Sequence, residues 1–98
     1  MRVGTILEAE EFPEANNPSY KLKIDFGDYG IRKSSAQITD LYEKKDLIGK
    51  QIIAVTNFPP KQIANIMSEC LVLGVVKEDK EVVLLHPERK VKEGLRIA

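Results

Sequence analysis

Two adjacent prolines, Pro59 and Pro60, restrict the folds open to this chain more than any other feature. Each proline fixes its φ angle and lacks a backbone N–H, so neither a helix interior nor a central β-strand can contain the pair. A strand-like run, Gln51 to Thr56, precedes the prolines, and an apolar run, Leu71 to Val76, follows them. The sequence therefore predicts a stiff loop between two strands.

This loop carries polar groups on a rigid support. Asn57 opens the loop, Lys61 follows the prolines, and Ser68 lies just before the next strand. An amide, a cation and a hydroxyl held this way can position ligand contacts. The loop can equally be a corner of a small barrel, because every loop needs turn residues. Both interpretations are open at this stage.

The residues from 20 to 26 alternate between apolar and polar side chains, which is typical of a strand with one buried face. Tyr20, Leu22, Ile24 and Phe26 form the apolar face. The next four residues, 27–30, predict a tight reversal into a returning strand over Ile31 to Ala36.

One short helix is predicted before the proline loop. Thr39 or Asp40 can cap its start, and Gly49 can adopt the left-handed conformation that ends many helices. Leu41, Leu47 and Ile48 would supply its apolar stripe.

The remaining elements complete an all-β pattern. Val3 to Glu10 predicts a first strand, Val82 to Leu85 is expected to pair with the strand that follows the proline loop, and Leu95 to Ile97 is compatible with a terminal strand. Five short strands with a helix between the third and fourth match a Greek-key barrel of the oligonucleotide/oligosaccharide-binding (OB) type. A sandwich or an SH3-like barrel is the alternative, but neither naturally places a helix there.

Size, composition and charge limit the classes of protein to which this chain can belong. Ninety-eight residues with 43% hydrophobic content predict a single domain, residues 1–98. Fifteen basic and fifteen acidic residues cancel, which counts against a strongly basic nucleic-acid binder but allows a local basic patch. Apolar runs are too short to span a bilayer and no leader opens the chain, so we expect a cytoplasmic protein. The single cysteine, Cys70, predicts a buried, inert thiol.

Almost nothing in the sequence assembles into a catalytic site. His86 is the only histidine and has no fixed carboxylate or nucleophile beside it in sequence. No metal-ligand spacing, phosphate loop or nucleophile elbow occurs. We therefore predict a binding module without catalytic residues, metal or cofactor.

Taken as a set and in order, several motifs resemble the CsaA family. They are Val3-Gly4-Thr5-Ile6, Phe12-Pro13-Glu14-Ala15, Lys33-Ser34-Ser35-Ala36-Gln37-Ile38, Leu47-Ile48-Gly49-Lys50, Asn57-Phe58-Pro59-Pro60-Lys61, Ser68-Glu69-Cys70-Leu71-Val72-Leu73-Gly74 and Val82-Val83-Leu84-Leu85. That family belongs to the wider group of tRNA-binding domains that also occur at the C-termini of methionyl- and some phenylalanyl-tRNA synthetases.

The resemblance implies an OB fold and two functions. The wider group binds tRNA by shape, chiefly near the outer corner of the folded molecule. CsaA proteins are homodimeric chaperones connected with protein export. By the same resemblance, Asn57 and Ser68 stand where the family contacts tRNA. Cys70 and Leu71 depart from the family's usual Gly-Met pair.

Two sets of candidate residues follow, one for each function. For tRNA, the cations are phosphate partners and the polar side chains add hydrogen bonds; the set is Lys21, Lys23, Arg32, Lys33, Lys61, Ser34, Asn57 and Ser68. The alternative is that these lysines are simply the solvated faces of strands. For unfolded or export-bound polypeptides, the apolar set is Phe58, Ile63, Ile66 and Met67. The alternative is that these residues pack beneath the loop.

Overall fold

The computed structural model describes residues 1–98, and its regular structure consists chiefly of nine strands. The strands are β1 (Arg2–Glu11), β2 (Tyr20–Asp25), β3 (Ile31–Ala36), β4 (Gln51–Val55), β5 (Lys61–Ile63), β6 (Ile66–Ser68), β7 (Leu71–Val72), β8 (Gly74–Val76) and β9 (Val82–Leu84). Five of them form an antiparallel sheet in the order β3-β2-β1-β4-β7, while β5-β6 and β8-β9 are separate hairpins.

The five-stranded sheet curls until its two edges nearly meet. The backbone N–H of Glu69 donates to the carbonyl of Lys33 at 2.7 Å, and the Lys33 N–H donates to Oε1 of Glu69 at 2.9 Å. A single residue just before β7 thus joins edge strand β3 by its backbone and its side chain. The predicted all-β barrel of the OB type is confirmed.

The core comes from the alternation in β2. Tyr20, Leu22, Ile24 and Phe26 are all buried, as their spacing predicts. They pack with buried side chains from the other strands and the connections, namely Ile6, Ile38, Leu47, Ile52, Ala54, Cys70 and Leu84.

The extent of the predicted helix is wrong. Only Lys44–Leu47 (α1) is α-helical, although Gly49 does adopt the left-handed conformation, with a φ of 85°. Leu47 is buried as expected, whereas Leu41 and Ile48 are exposed. The apolar stripe therefore amounts to one residue, and so short a helix gains little from propagation.

Tyr42 explains why the helix does not start earlier. Its carbonyl accepts a bond from the hydroxyl of Tyr20 at 2.8 Å, and its own hydroxyl accepts the Leu84 N–H at 3.0 Å. Both bonds tie this residue to the barrel wall. The next residue, Glu43, has an extended backbone. These tertiary contacts override the local helix signal.

Two further strand boundaries differ from the prediction. The run from Leu71 to Val76 is broken at Leu73, whose N–H donates to the Ile53 carbonyl at 2.9 Å, so β7 pairs with β4 while β8 pairs with β9. The predicted terminal strand is reduced to one bridge, between Arg2 and Arg96. The predicted β8–β9 pairing is confirmed. No helix in the structure is long and apolar enough to cross a membrane.

Candidate nucleic-acid interface

The segment that follows the two prolines forms a small hairpin, β5–β6, which the sequence did not predict. Lys61 lies opposite Ser68, and Ile63 lies opposite Ile66. Ala64, at the turn between the strands, has a positive φ of 50°. The loop after the prolines is therefore a regular two-stranded structure.

Arg32 joins the two ends of the loop from Asn57 to Ser68, which contains the β5–β6 hairpin and is called the hairpin segment below. Its Nη1 donates to the Thr56 carbonyl at 2.6 Å and approaches the Glu69 carbonyl at 3.5 Å. Thr56 directly precedes Asn57, and Glu69 directly follows Ser68. One nitrogen of a half-buried guanidinium therefore bridges the entrance and the exit of the loop.

Two serine hydroxyls support the hairpin from inside. Ser34 Oγ donates to the Cys70 carbonyl at 2.8 Å, and Ser68 Oγ donates to the same oxygen at 3.1 Å. Ser34 is fully buried and offers no surface to a ligand, while Ser68 borders a groove described below. The Cys70 thiol is buried beside them, and burial raises its pKa to about 11. The predicted buried thiol is confirmed.

A cleft of about 580 Å³ lies on the side of the hairpin segment that carries Asn57. Its lining combines aromatic, amide, cationic and carboxylate groups, from Tyr29, Ile31, Arg32, Thr56, Asn57, Phe58, Pro59, Pro60 and Glu69. We call this the Asn57 cleft. It brings together two predicted tRNA-binding residues, Asn57 and Arg32.

A larger groove of about 860 Å³ also borders the segment. Its lining includes Lys61, Ile63 and Ser68 from the hairpin, and Phe58 borders both this groove and the Asn57 cleft. We call it the hairpin groove. Two members of the predicted apolar set, Ile66 and Met67, do not line it; the first is half-buried and the second exposed.

The predicted tRNA-binding lysines differ in whether a carboxylate lies close to their charge. Lys23 pairs with Glu8 at 3.2 Å and Lys21 approaches Glu10 at 4.0 Å, in both cases across the β1–β2 ladder. Acidic and basic side chains therefore alternate across this face of the sheet. The exposed Lys33 and Lys61 have no carboxylate within 4.0 Å, so their full charge is open to a partner.

Tyr29 lines the Asn57 cleft, and its ring also contacts the side chain of Arg2. The Arg2 guanidinium lies 3.7 Å from the centre of the ring, and its Nη1 donates to the Gly94 carbonyl at 3.0 Å. Gly94 has a φ of 89°, and a Cβ there would lie 2.4 Å from the Phe26 carbonyl oxygen. Only glycine allows the C-terminal segment to approach the turn that carries Tyr29 this closely.

The structure brings together no group of three or more His, Cys, Asp or Glu side chains that could hold a metal ion. His86 is exposed, and its Nδ1 lies 2.8 Å from the carbonyl of Pro87.

Comparison with known proteins identifies the family of this chain. A family model described as "Putative tRNA binding domain" matches residues 1–96. The CsaA chaperones of Bacillus anthracis and Picrophilus torridus, both solved as crystal structures, are 54% and 57% identical to this chain, with TM-scores of 0.94 and 0.93. Each alignment covers 99% of this chain, and 88% and 89% of the respective chaperones.

The chain is a tRNA-binding-domain family member of the CsaA type.

Similarity extends to parts of larger enzymes. The methionine–tRNA ligases of Methanocaldococcus jannaschii and Thermococcus kodakarensis are 31% and 32% identical over 97 residues. This chain spans only 15% and 13% of the length of those ligases. A MetRS related protein from Pyrococcus horikoshii is 29% identical, with a TM-score of 0.85, over 99% of this chain and 87% of that one.

In this CsaA-type chain, sequence reasoning missed Tyr29, Arg2 and Glu69 as members of the site. Tyr29 was visible only as an aromatic residue at a turn, and Arg2 lies 27 positions away from it in sequence. The proximity of Arg2 to Tyr29 depends on the closure of the barrel by the C-terminal segment. No local pattern could have shown it.

Proposed function

We propose that this chain is a non-catalytic, cytoplasmic module that binds tRNA as a single unit spanning residues 1–98. The observation that carries the proposal is the convergence of Asn57, Arg32 and two aromatic side chains in one cleft, in a chain that belongs to the tRNA-binding-domain family. Positive charge comes from the unpaired Lys61 on the hairpin and from the unpaired Lys33, whose backbone is bonded to Glu69 at the end of the segment.

The rigidity of this surface favours recognition of a preformed RNA shape. Two prolines stiffen the loop, and Arg32 joins its ends. Ser34 and Ser68 both donate hydrogen bonds to the Cys70 carbonyl, just after the loop. A surface that does not rearrange fits folded RNA, whose phosphates and 2′-hydroxyls present a fixed geometry. Lys33 and Lys61 are its phosphate partners, and Asn57 contacts a sugar or base. Lys21 and Lys23 contribute less, because Glu10 and Glu8 already offset their charges.

Titration with unfractionated tRNA over a series of salt concentrations tests this proposal. Affinity should fall steeply as salt rises, because phosphate contacts release counterions. Lys61→Ala should weaken binding and reduce the slope of log K against log salt by about 0.7–0.9, the value for one lost phosphate contact. Asn57→Ala should weaken binding with the slope unchanged.

The matched control is Lys45→Ala, which removes the same charge from α1, where Lys45 already pairs with Glu43 at 3.5 Å. It should bind tRNA as the wild type does. If Lys61→Ala and Asn57→Ala also bind normally, the site is wrongly assigned.

A second candidate function, binding of unfolded or export-bound polypeptides, is favoured by the hairpin groove. Its lining is mostly apolar and includes Phe58, Ile63, Val72 and Val76. Such a surface fits an extended apolar segment, and the two solved CsaA relatives are named chaperones. Phe58 borders both sites, so the two ligands would compete.

Suppression of light scattering by a chemically denatured client enzyme tests this function. Phe58→Ser should abolish the suppression in a folded protein, and higher salt should not weaken it, since apolar burial is not screened. Leu41→Ser is the matched control, because Leu41 is 43% exposed and lies outside both sites. Equal loss in both variants would mean that the effect is not specific to the groove.

We also propose that the chain forms a homodimer through the β8–β9 hairpin. Val75 and Val83 are paired across the hairpin and are 53% and 39% exposed, and Val76 on the same hairpin is 69% exposed. A neighbouring set of exposed aliphatic side chains of this kind marks a protein contact.

A further inference from the structure

Four of the six aromatic side chains of this chain pack in or against the barrel core, and the other two line the Asn57 cleft. Of its three Phe and three Tyr residues, Phe12, Tyr20 and Phe26 are buried. Tyr42 is half-buried, and its hydroxyl accepts a backbone bond in the barrel wall. The two that remain, Tyr29 and Phe58, come from distant parts of the chain and line the same cleft.

Tyr29 presents a fixed ring to this cleft. Arg2 covers part of the ring at 3.7 Å, and a Cβ at Gly94 would lie 3.3 Å from Cδ2 of the ring, so the ring is packed on that side. The residue is still 49% exposed. An aromatic ring that is immobilised in the free protein loses little conformational freedom when a planar ligand stacks on it.

The polar groups beside the ring match the edge of a nucleobase. The Asn57 amide offers a donor and an acceptor within one plane. The Arg32 guanidinium has five N–H donors, and its backbone contacts use only Nη1. Glu69 uses Oε1 to accept the Lys33 N–H, which leaves Oε2 as an acceptor. Donors and acceptors therefore line the same cleft as an aromatic side chain, and proteins bind unstacked RNA bases with this combination of groups.

We propose that the Asn57 cleft binds one unpaired base of tRNA, stacked on Tyr29 with its edge hydrogen-bonded by Asn57. The inference rests on the tRNA-binding function proposed above and deepens it. Shape and phosphate contacts dock the folded RNA, and the cleft selects RNAs that place an unstacked base at this position. A fully paired helix keeps its bases stacked and cannot fill the cleft.

Replacement of Tyr29 tests the inference. Tyr29→Leu should lower affinity for unfractionated tRNA by roughly 5- to 150-fold, the range for one lost base-stacking contact. Because no charge is lost, the salt slope should stay at the wild-type value. Tyr29→Phe keeps the ring and should bind as the wild type does. For a blunt-ended RNA duplex, wild type and Tyr29→Leu should have the same affinity.

The outcomes separate this inference from the broader function. If the wild type does not bind tRNA, the proposed function fails and the inference fails with it. If the wild type binds tRNA and a folded Tyr29→Leu variant binds equally well, only the base-binding inference is overturned.

A fluorescence experiment decides the matter if Tyr29→Leu does not fold. The chain contains no tryptophan, so Tyr29→Trp introduces a single indole at the wall of the cleft. Stacking of a base on that indole should quench its emission at saturating tRNA, and the duplex should leave it unchanged. Unchanged emission at saturating tRNA would overturn the inference.

Discussion

Replacement of Arg32 distinguishes two roles for a cation in this site. The sequence predicts a phosphate contact, whereas the structure shows a guanidinium bonded to the Thr56 carbonyl at 2.6 Å. The second bond, to the Glu69 carbonyl, is at 3.5 Å and adds little. If the first role holds, Arg32→Ala removes an ionic contact with RNA. If the second holds, it loosens the loop that carries Asn57.

The loss of stability expected for Arg32→Ala follows from the hydrogen bond between Arg32 and the Thr56 carbonyl. A hydrogen bond that involves a charged group contributes about 1.5–3 kcal/mol. Partial exposure of Arg32 lowers this, because water can replace the lost donor, so we expect a loss of about 1–2 kcal/mol in the free energy of unfolding. In a domain of this size that loss corresponds to a fall in Tm of about 4–16 °C.

The assay combines thermal unfolding with tRNA titration over a salt series. Arg32→Ala should lower Tm and weaken tRNA binding while leaving the salt slope at the wild-type value. Arg32→Lys keeps the charge but lacks the planar fork, so it should restore only part of either loss. An alanine variant with the wild-type Tm and a slope reduced by about 0.7–0.9 would refute the positioning role and support the phosphate contact.

Two further predictions follow from buried and exposed apolar groups. Burial raises the pKa of the Cys70 thiol from 9.0 to about 11, so between these pH values the folded protein keeps a proton that the unfolded chain loses. The free energy of unfolding should therefore fall as pH rises from about 9 to 11. A thiol reagent at pH 8 should label Cys70 only as fast as the protein unfolds. Rapid labelling of the folded protein would contradict this. For the dimer, Val75→Lys should shift sedimentation from the dimer to the monomer, whereas Lys45→Ala should not; a monomeric wild type would refute the proposed contact.

The parts of the fold that follow from local patterns were predictable. The alternation from Tyr20 to Phe26 identified β2 and its buried face, and the apolar run from Val82 to Leu85 identified the strand that pairs with β8. The helix was not predictable in extent, because two hydrogen bonds made by Tyr42 with distant strands replace the local preference. The β5–β6 hairpin was hidden because its strands are only three residues long.

The candidate site was predictable in its loop and not in its surroundings. Two prolines located the loop and identified Asn57 as its first polar group. The roles of Arg32 and Ser34 depend on which backbone carbonyls the closed barrel places beside them, and no spacing in the sequence encodes that. The pairing of Lys23 with Glu8 likewise depends on the register between β1 and β2.

The two ends of the chain lie next to each other, and this affects how the protein is best handled. The N–H of Ile97 donates to the Met1 carbonyl at 2.9 Å, and Arg2 already touches the wall of the Asn57 cleft through Tyr29. An affinity tag attached at either end of these residues would therefore begin within a few residues of Arg2, which contacts the Tyr29 ring, and a polyhistidine sequence there would add contacts of its own to a polyanion. Binding measured on tagged protein would report the tag together with the cleft, and a fusion partner at either end would be held within reach of the same RNA.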